Sequence, residues 1–172
     1  MAYKEKHLPL PPLEELKEFL DYNPDTGIII WKKSPSNRVK VGGEAGYITY
    51  HGYKAIKFKN QQYRFHRIAY YMHHGIDPLG KMVDHENLNK QDNWIKNLRL
   101  ATRPENGWNR KLNTNNTSGV MGVCWLEKRK RWVAQIKVNG KTMWRSFVNK
   151  EDAIQARKEA EKKYFGKFRR SD

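Results

Sequence analysis

Apolar residues recur with two different periods along this chain, and each period marks an element. In PPLEELKEFLDYNPDTG, Leu13, Leu16 and Leu20 fall at helical spacing after a proline pair, and Asn-Pro-Asp-Thr-Gly closes the run, which predicts a helix through Leu20 and then a turn. IIIWKK reads as a strand. GEAGYITYHGYKAIKFKNQQYRFHR alternates Tyr, Ile and Phe with polar residues between glycines, as strands and hairpins do. HRIAYYMHHG predicts a short helix ending at Gly75.

KMVDH then predicts a short strand, ENLNKQDNW a polar loop and NLRLAT a second strand. Thr102 with Glu105 three residues later forms a capping box, and Pro104 suits a first helical turn, so ENGWNRK begins a helix. LNTNNTSG has the composition of a linker. MGVCW, KRWVAQIKV and KTMWRSFV predict three strands, with Asn139-Gly140 as the hairpin turn between the last two. Asn149, with Asp152 as its box partner, starts a final helix that carries Ala153, Ala156, Ala160 and Tyr164 on one face and ends at Gly166. The pattern is α+β. It divides into residues 1–111, a linker at 112–118, and a small sheet-plus-helix unit at 119–172.

Composition narrows the function classes. No apolar run approaches the length of a membrane span, and MAYKEKHLPLPP lacks the apolar core of an export signal. One cysteine, Cys124, excludes an internal disulfide and a multi-cysteine zinc site, and is expected as a small buried thiol. A cytoplasmic protein is the resulting expectation. Thirty-four Lys and Arg against eighteen Asp and Glu leave a formal charge of +16. That excess suits phosphate neutralisation. Its spread among Trp, Tyr and Thr, rather than along one amphipathic helix, favours nucleic acid over membrane.

The chemistry concentrates between Val83 and Arg110, where 28 positions hold six asparagines and one Asp-His pair. Phosphodiester hydrolysis needs an activated water, neutralisation of charge on the phosphate and a stabilised leaving oxygen. A neutral histidine is a suitable base for the first, and a hard divalent ion on oxygen ligands supplies the other two. Asp84, His85, Asn97 and Asn106 form such a set. Adjacent strand residues point to opposite faces, so Asp84 and His85 can serve one ligand only if the strand ends or bends there, as the polar loop from Glu86 allows. Asn106 on the following helix can complete an ion site beside Asp84. Asn97 can hydrogen-bond the imidazole and set its tautomer, although asparagines in loops more commonly make turns. On this pattern Asn89 and Asn93 read as ordinary loop residues.

YNPDTGIIIWKK, GEAGYITYHGYKAIKF, YRFHRIAYYM, VDHENLNKQDNWIKNLRLAT and ENGWNR, in that order, resemble the HNH endonucleases of the ββα-metal (His-Me finger) class, in the form seen in phage homing endonucleases. The resemblance covers roughly residues 13–110 and places an N-terminal HNH nuclease domain in the first unit. It implies Asp84 and Asn106 as metal ligands, His85 as general base and Asn97 as the residue that orients it. The third motif residue is Asn106 rather than His, a known variant. Glu86-Asn87-Leu88-Asn89 stands where the family commonly has a glycine in the loop, which bears on loop shape. Arg67 is a candidate phosphate contact, and His66 a packed, hydrogen-bonded neighbour. Asn109, placed on one helix face with Asn106, and Arg110 are candidate DNA contacts. His73 and His74 read as surface residues at a helix end.

TSGVMGVCW, RWVAQIKVNGK, WRSFVNKEDA and AEKKYFGKF resemble the AP2 DNA-binding domain, a three-stranded sheet on a helix whose outer face lies in the major groove. Alternation puts Trp132, Ala134, Ile136 and Val138 on the core face, and Arg131, Val133, Gln135 and Lys137 on the outer one. Gln135 can read a base edge, and Arg131 and Lys137 can neutralise phosphate. Arg129, Lys141 and Arg145 are further candidates. Trp125, Trp132 and Trp144 are expected in the core.

Together these features lead to the expectation of a site-specific homing endonuclease of phage origin, acting in a bacterial host cell. It would use Mg²⁺, or Mn²⁺, to leave 5′-phosphate and 3′-hydroxyl ends on double-stranded DNA, and would work as a monomer that nicks one strand, unless two chains act together to cleave both. The alternative is a DNA-binding regulator in which the HNH motif has no catalytic role. RNA binding or cleavage is a weaker third reading.

Overall fold

The computed structural model describes residues 9–170. The first eight residues, on which much of the expectation about an export signal rests, lie outside the described residues. No helix among the described residues is long and apolar enough to cross a membrane. The chain forms two units, Met1–Asn106 and Gly107–Asp172.

The first unit begins with α1 (Leu13–Phe19), whose first turn carries Glu14 and Glu15 near the positive end of the helix dipole. Leu20 does not continue this helix. It is extended and opens β1 (Leu20–Asn23), which pairs antiparallel with β2 (Ile28–Trp31) in the register Leu20↔Trp31. The turn between them explains the change. Asn23 Oδ1 accepts the amides of Asp25 and Thr26 at 3.0 and 3.2 Å, and Gly27 takes φ 71°. Leu20 still buries its side chain, so helical spacing identified a core residue but not its conformation.

Three strands follow in the order β3 (Tyr47–Ile48), β4 (Lys54–Phe58), β5 (Gln61–Arg64), and the chain passes directly into α2 (Phe65–His74). Gly75 caps α2 in the left-handed conformation, as its position after the apolar run predicts. β6 (Met82–His85) and β7 (Leu98–Ala101) make an antiparallel ribbon, and α3 (Arg103–Trp108) begins at the predicted capping box. Glu105 Oε2 accepts the Thr102 amide at 2.6 Å, and Thr102 Oγ1 accepts the Glu105 amide at 3.4 Å. One core joins α1, β1, β2, β4, α2 and the ribbon: Leu16, Leu20, Ile29, Ile56, Phe58, Phe65 and Ile68 are fully enclosed, with Val83 and Leu98 of the ribbon beside them. Each enclosed side chain of this size contributes about 1.5–3 kcal/mol.

The second unit holds β8 (Val123–Leu126), β9 (Arg131–Val138) and β10 (Lys141–Phe147), in the order β10-β9-β8, and α4 (Lys150–Tyr164). Asn139 and Gly140 both have positive φ, 50° and 79°, as a tight two-residue hairpin requires. Val123, Ala134 and Ala153 form the small core, with Trp132, Phe147 and Ile154 packed against it. At the start of α4 the Asn149 amide donates to the Asp152 carboxylate at 3.3 Å instead of accepting a backbone N–H. At the end of the stretch 112–118, Ser118 is buried, with its hydroxyl oxygen 2.8 and 2.7 Å from the carbonyls of Val120 and Val123, and Asn116 Nδ2 donates to the Val120 carbonyl at 3.1 Å.

Residues paired across antiparallel strands share a face. Ala134 pairs with Val123 and Arg145, and Val138 with Lys141, so Arg145 and Lys141 lie on the core side of the sheet rather than with Arg131. Gln135 pairs with Trp144 and Lys137 with Thr142. Trp144 therefore belongs to the outer face, where it is 54% exposed, not in the core. Trp125 is also exposed at the sheet edge, and only Trp132 of the three packs against the core. Cys124 pairs with Val133 on the outer face and is exposed, not buried.

Candidate active site

Asp84 and His85 are the last two residues of β6, and both are buried, at 6% and 5% exposure. The ribbon register sets each against a different neighbour. Asp84 lies opposite Arg99, whose Nε donates to Asp84 Oδ2 at 3.1 Å. His85 lies opposite Leu98 and meets the edge of the His66 ring at 4.9 Å between centroids, with the Tyr53 ring 6.2 Å away. His66 is itself buried on the first turn of α2, in the packed role predicted for it.

The asparagine-rich loop explains how His85 is held. Asn97 joins the loop's two ends: its Oδ1 accepts the Asn87 amide at 2.9 Å, its Nδ2 donates to the Asp92 carbonyl at 2.7 Å, and its carbonyl accepts the Glu86 amide at 2.9 Å. The side chain that meets the imidazole is Asn93, with Oδ1 3.1 Å from His85 Nε2. Asn93 Nδ2 donates to the Gln91 carbonyl at 2.9 Å, which fixes which end of the amide faces the ring. Nε2 therefore carries the proton of the neutral ring, and Nδ1 the lone pair. The orienting contact expected from Asn97 comes from Asn93 because the loop curls back over the ribbon end. Nothing in sequence spacing distinguishes the two. Asn87 and Asn89 make the local turns, accepting the amides of Asn89 and Gln91 at 2.9 and 3.1 Å.

Leu88 adopts φ 62° in this loop, the left-handed conformation that a glycine would take without strain. The Leu88 amide donates to the His85 carbonyl at 3.0 Å, which holds this turn against the end of β6.

The β1–β2 hairpin supports the same loop. Tyr22 Oη donates to the Asn93 carbonyl at 2.8 Å, and the Ile95 amide donates to the Pro24 carbonyl at 2.9 Å. A Cβ at Gly27 would stand 2.3 Å from the Trp94 nitrogen, so only glycine permits this approach. Burial pushes the Tyr22 hydroxyl well above the usual tyrosine pKa.

Burial also lowers the His85 pKa, and nearby Lys90 acts in the same direction. The bond to Asn93 and the charges of Asp84 and Asp92 oppose this less strongly. The ring is neutral near pH 7, as a base must be.

Asn106 lies in α3, half-buried, with its backbone N–H donated to the Thr102 carbonyl at 3.0 Å. Asp84 and Asn106 would offer one carboxylate and one amide oxygen. Among the described residues no group of three or more His, Cys, Asp or Glu could hold a metal. These donors fit a hard ion that keeps several waters and takes further oxygens from its substrate.

The other predicted residues are distributed differently from expectation. Arg67 is buried at 3%, where it donates to the carbonyls of Pro78 and Lys81 and pairs with Asp77 Oδ1 at 3.4 Å, so it fastens the segment after α2 and does not present itself to phosphate. Asn109 lies beyond the end of α3 and is buried, so it does not share a helix face with Asn106. Arg110 is exposed in the second unit, with Nε 3.5 Å from Met121 Sδ. Arg129, Arg131, Gln135 and Lys137 are all exposed. Arg129 reaches over the Trp144 ring at 5.6 Å. The sequence pattern reads Asn93 as an ordinary loop residue and does not single out Arg99 or Tyr22. Only Arg99 had an available signal, its position opposite Asp84 in a two-stranded ribbon.

Residues 63–108 match the model of the HNH endonuclease family. The matched segment is internal, not N-terminal: α1, the β1–β2 hairpin, β3 and β4 all precede it. Protein 3.8 of Escherichia phage T7 is 39% identical over 67 residues, 39% of this chain and 55% of that protein. YosQ of Bacillus subtilis (strain 168), whose name places it in the SPbeta prophage and among HNH homing endonucleases, is 34% identical over 99 residues, 54% of this chain and 53% of that protein. The chain spans about half the length of these curated relatives. No solved structure matches it.

Proposed function

We propose that the chain is a site-specific, metal-dependent DNA endonuclease of the homing type. The observation that carries this reading is a buried, neutral His85 whose tautomer is set by Asn93, next to the carboxylate of Asp84, inside the segment that matches HNH endonucleases. His85 takes the proton from the water that attacks phosphorus. Asn93 holds the ring in the tautomer that can accept it, and Asn97 keeps the loop closed around it. Asp84 and Asn106 would hold the divalent ion, Mg²⁺ or Mn²⁺, which when bound stabilises charge on the phosphate and on the leaving 3′ oxygen. The products are 5′-phosphate and 3′-hydroxyl ends.

The second unit, by its resemblance to AP2 domains, supplies duplex binding through the outer face of its sheet, with Arg129, Arg131, Gln135, Lys137 and Trp144. One such site per chain favours a monomer that nicks one strand. The relatives' phage names favour a phage enzyme acting in the cytoplasm of a bacterial host.

The test is supercoiled phage DNA with wild-type protein or His85→Ala, in Mg²⁺ or EDTA. Open circles or linear DNA with wild type and Mg²⁺ alone support the reading. Binding without cleavage in every lane favours a DNA-binding regulator instead.

A further inference from the structure

Asp84 is the only carboxylate that the nuclease reading assigns to the ion, and it is not electrostatically available in the free protein. The β6–β7 register sets it opposite Arg99, whose Nε donates to Oδ2 at 3.1 Å. Both side chains are shielded, 13% exposed for Arg99 and 7% for Asp84, so salt screens the pair little. The same guanidinium reaches Glu86 Oε1 at 3.6 Å, which anchors it from a second side. A divalent cation arriving at Asp84 therefore meets a carboxylate whose charge is already matched. It must share or displace a fixed cation, on a chain that carries a formal +16. A single neutralised carboxylate and an amide make a weak site for a strongly hydrated ion.

We propose that Arg99 makes metal capture conditional on DNA: in the free protein it holds Asp84 neutralised, and a backbone phosphate of bound duplex supplies the negative charge that completes the ion site. The inference rests on the nuclease reading. The phosphate attracts the guanidinium, which suits bidentate phosphate contact, and offers its own oxygens to the ion. The ion and DNA then bind cooperatively, and the coupling is reciprocal: DNA tightens the metal by the factor by which the metal tightens DNA. Such a coupling keeps the hydrolytic site without its metal until a substrate is in place. Arg99 is a positioning residue here, since it acts through Asp84.

The test uses Mn²⁺ as probe, with bound ion read by electron paramagnetic resonance. Mn²⁺ is titrated into the full chain alone, and into the chain with a duplex spanning a site that wild type cuts, in a His85→Ala background so that the duplex stays intact. Asp84→Ala on the same duplex gives the background of Mn²⁺ held by phosphates alone. The expected result is weak binding to the free chain and binding roughly ten-fold tighter or more with DNA. Arg99→Gln should tighten Mn²⁺ binding to the free chain and shrink the ratio. Equal Mn²⁺ affinity with and without DNA, from a protein that does cleave, overturns the proposal and leaves the nuclease reading standing. So does a folded Arg99→Gln chain with unchanged Mn²⁺ binding. If Arg99→Gln does not fold, the ratio measured with the Arg99-containing chain decides alone. A wild-type chain that cuts no DNA in Mg²⁺ or Mn²⁺ sinks both.

Discussion

His85 Nε2 and Asn93 Oδ1 lie 3.1 Å apart, and Asn93 cannot turn its amide round without losing the 2.9 Å bond from its Nδ2 to the Gln91 carbonyl. The imidazole is thus held by an acceptor of fixed orientation. Replacing Asn93 with Ala should lower kcat by about 10–100-fold, the usual effect of losing a partner that orients a functional histidine. KM should change little. Single-turnover kinetics would check this, and a wild-type rate would return the orienting role to Asn97.

The pKa of His85 predicts the pH behaviour. Burial depresses it below the ordinary value of 6.5, so the rate should stay high through neutral pH and fall only when the solution is acidic enough to protonate the buried ring. Asn93→Asp puts a carboxylate against the ring, favours the imidazolium, and should move that acid limb upward. Stability has a matching sign. With the folded pKa below the unfolded one, the unfolded chain takes up the proton first. The stability linked to neutral His85 is then complete above about pH 6.5 and declines as pH falls towards the lowered value. Melting curves against pH for wild type and His85→Ala should diverge in that window.

Gly27→Ala tests the hairpin support. Its Cβ would meet the backbone of Asn93 and Trp94, with 2.3 Å to the Trp94 nitrogen, and φ 71° adds strain of about 1–2 kcal/mol. The expected outcome is a lower Tm together with a kcat loss like that of Asn93→Ala, since the displaced segment carries Asn93. A loss of Tm with kcat intact would separate the hairpin from the site.

Leu88→Gly should act in the opposite sense on stability. Relief of the left-handed strain at φ 62° outweighs the half-buried side chain, and the gain should be about 1 kcal/mol in chemical denaturation. A loss would mean that Leu88 packing matters more than its backbone.

Three arginines should separate cleanly. Arg131→Ala, on the outer face of the second unit's sheet, should weaken DNA binding and reduce the slope of log affinity against log salt by about one. Arg145→Ala, on the core side, should leave the slope unchanged. Arg67→Ala should cost about 3 kcal/mol in stability, because it leaves Asp77 and two carbonyls without their buried donor, while affinity per folded molecule holds. Binding isotherms at several salt concentrations, with melting curves beside them, check all three.

What local sequence determined here are the features whose causes are local. The capping box at Thr102 and Glu105, the left-handed stop at Gly75, the Asn139-Gly140 hairpin and the alternation that buries Ala134 and Ile136 all depend on neighbouring residues, and all are legible without a fold. The face of Arg145 and Trp144 was also implied, since a two-residue turn sets the register of both strands. Leu20 shows the limit of that reasoning: its helical spacing was real, but pairing with Trp31 made it a strand residue. Only tertiary structure decided which asparagine meets His85 and that Arg67 faces carbonyls rather than solvent. Those assignments depend on where a loop closes and on what a separate hairpin presses against it. Hydrogen-bond partners many residues apart leave no periodic trace, because any amide in the loop could satisfy the pattern and only the folded path brings one of them to the ring.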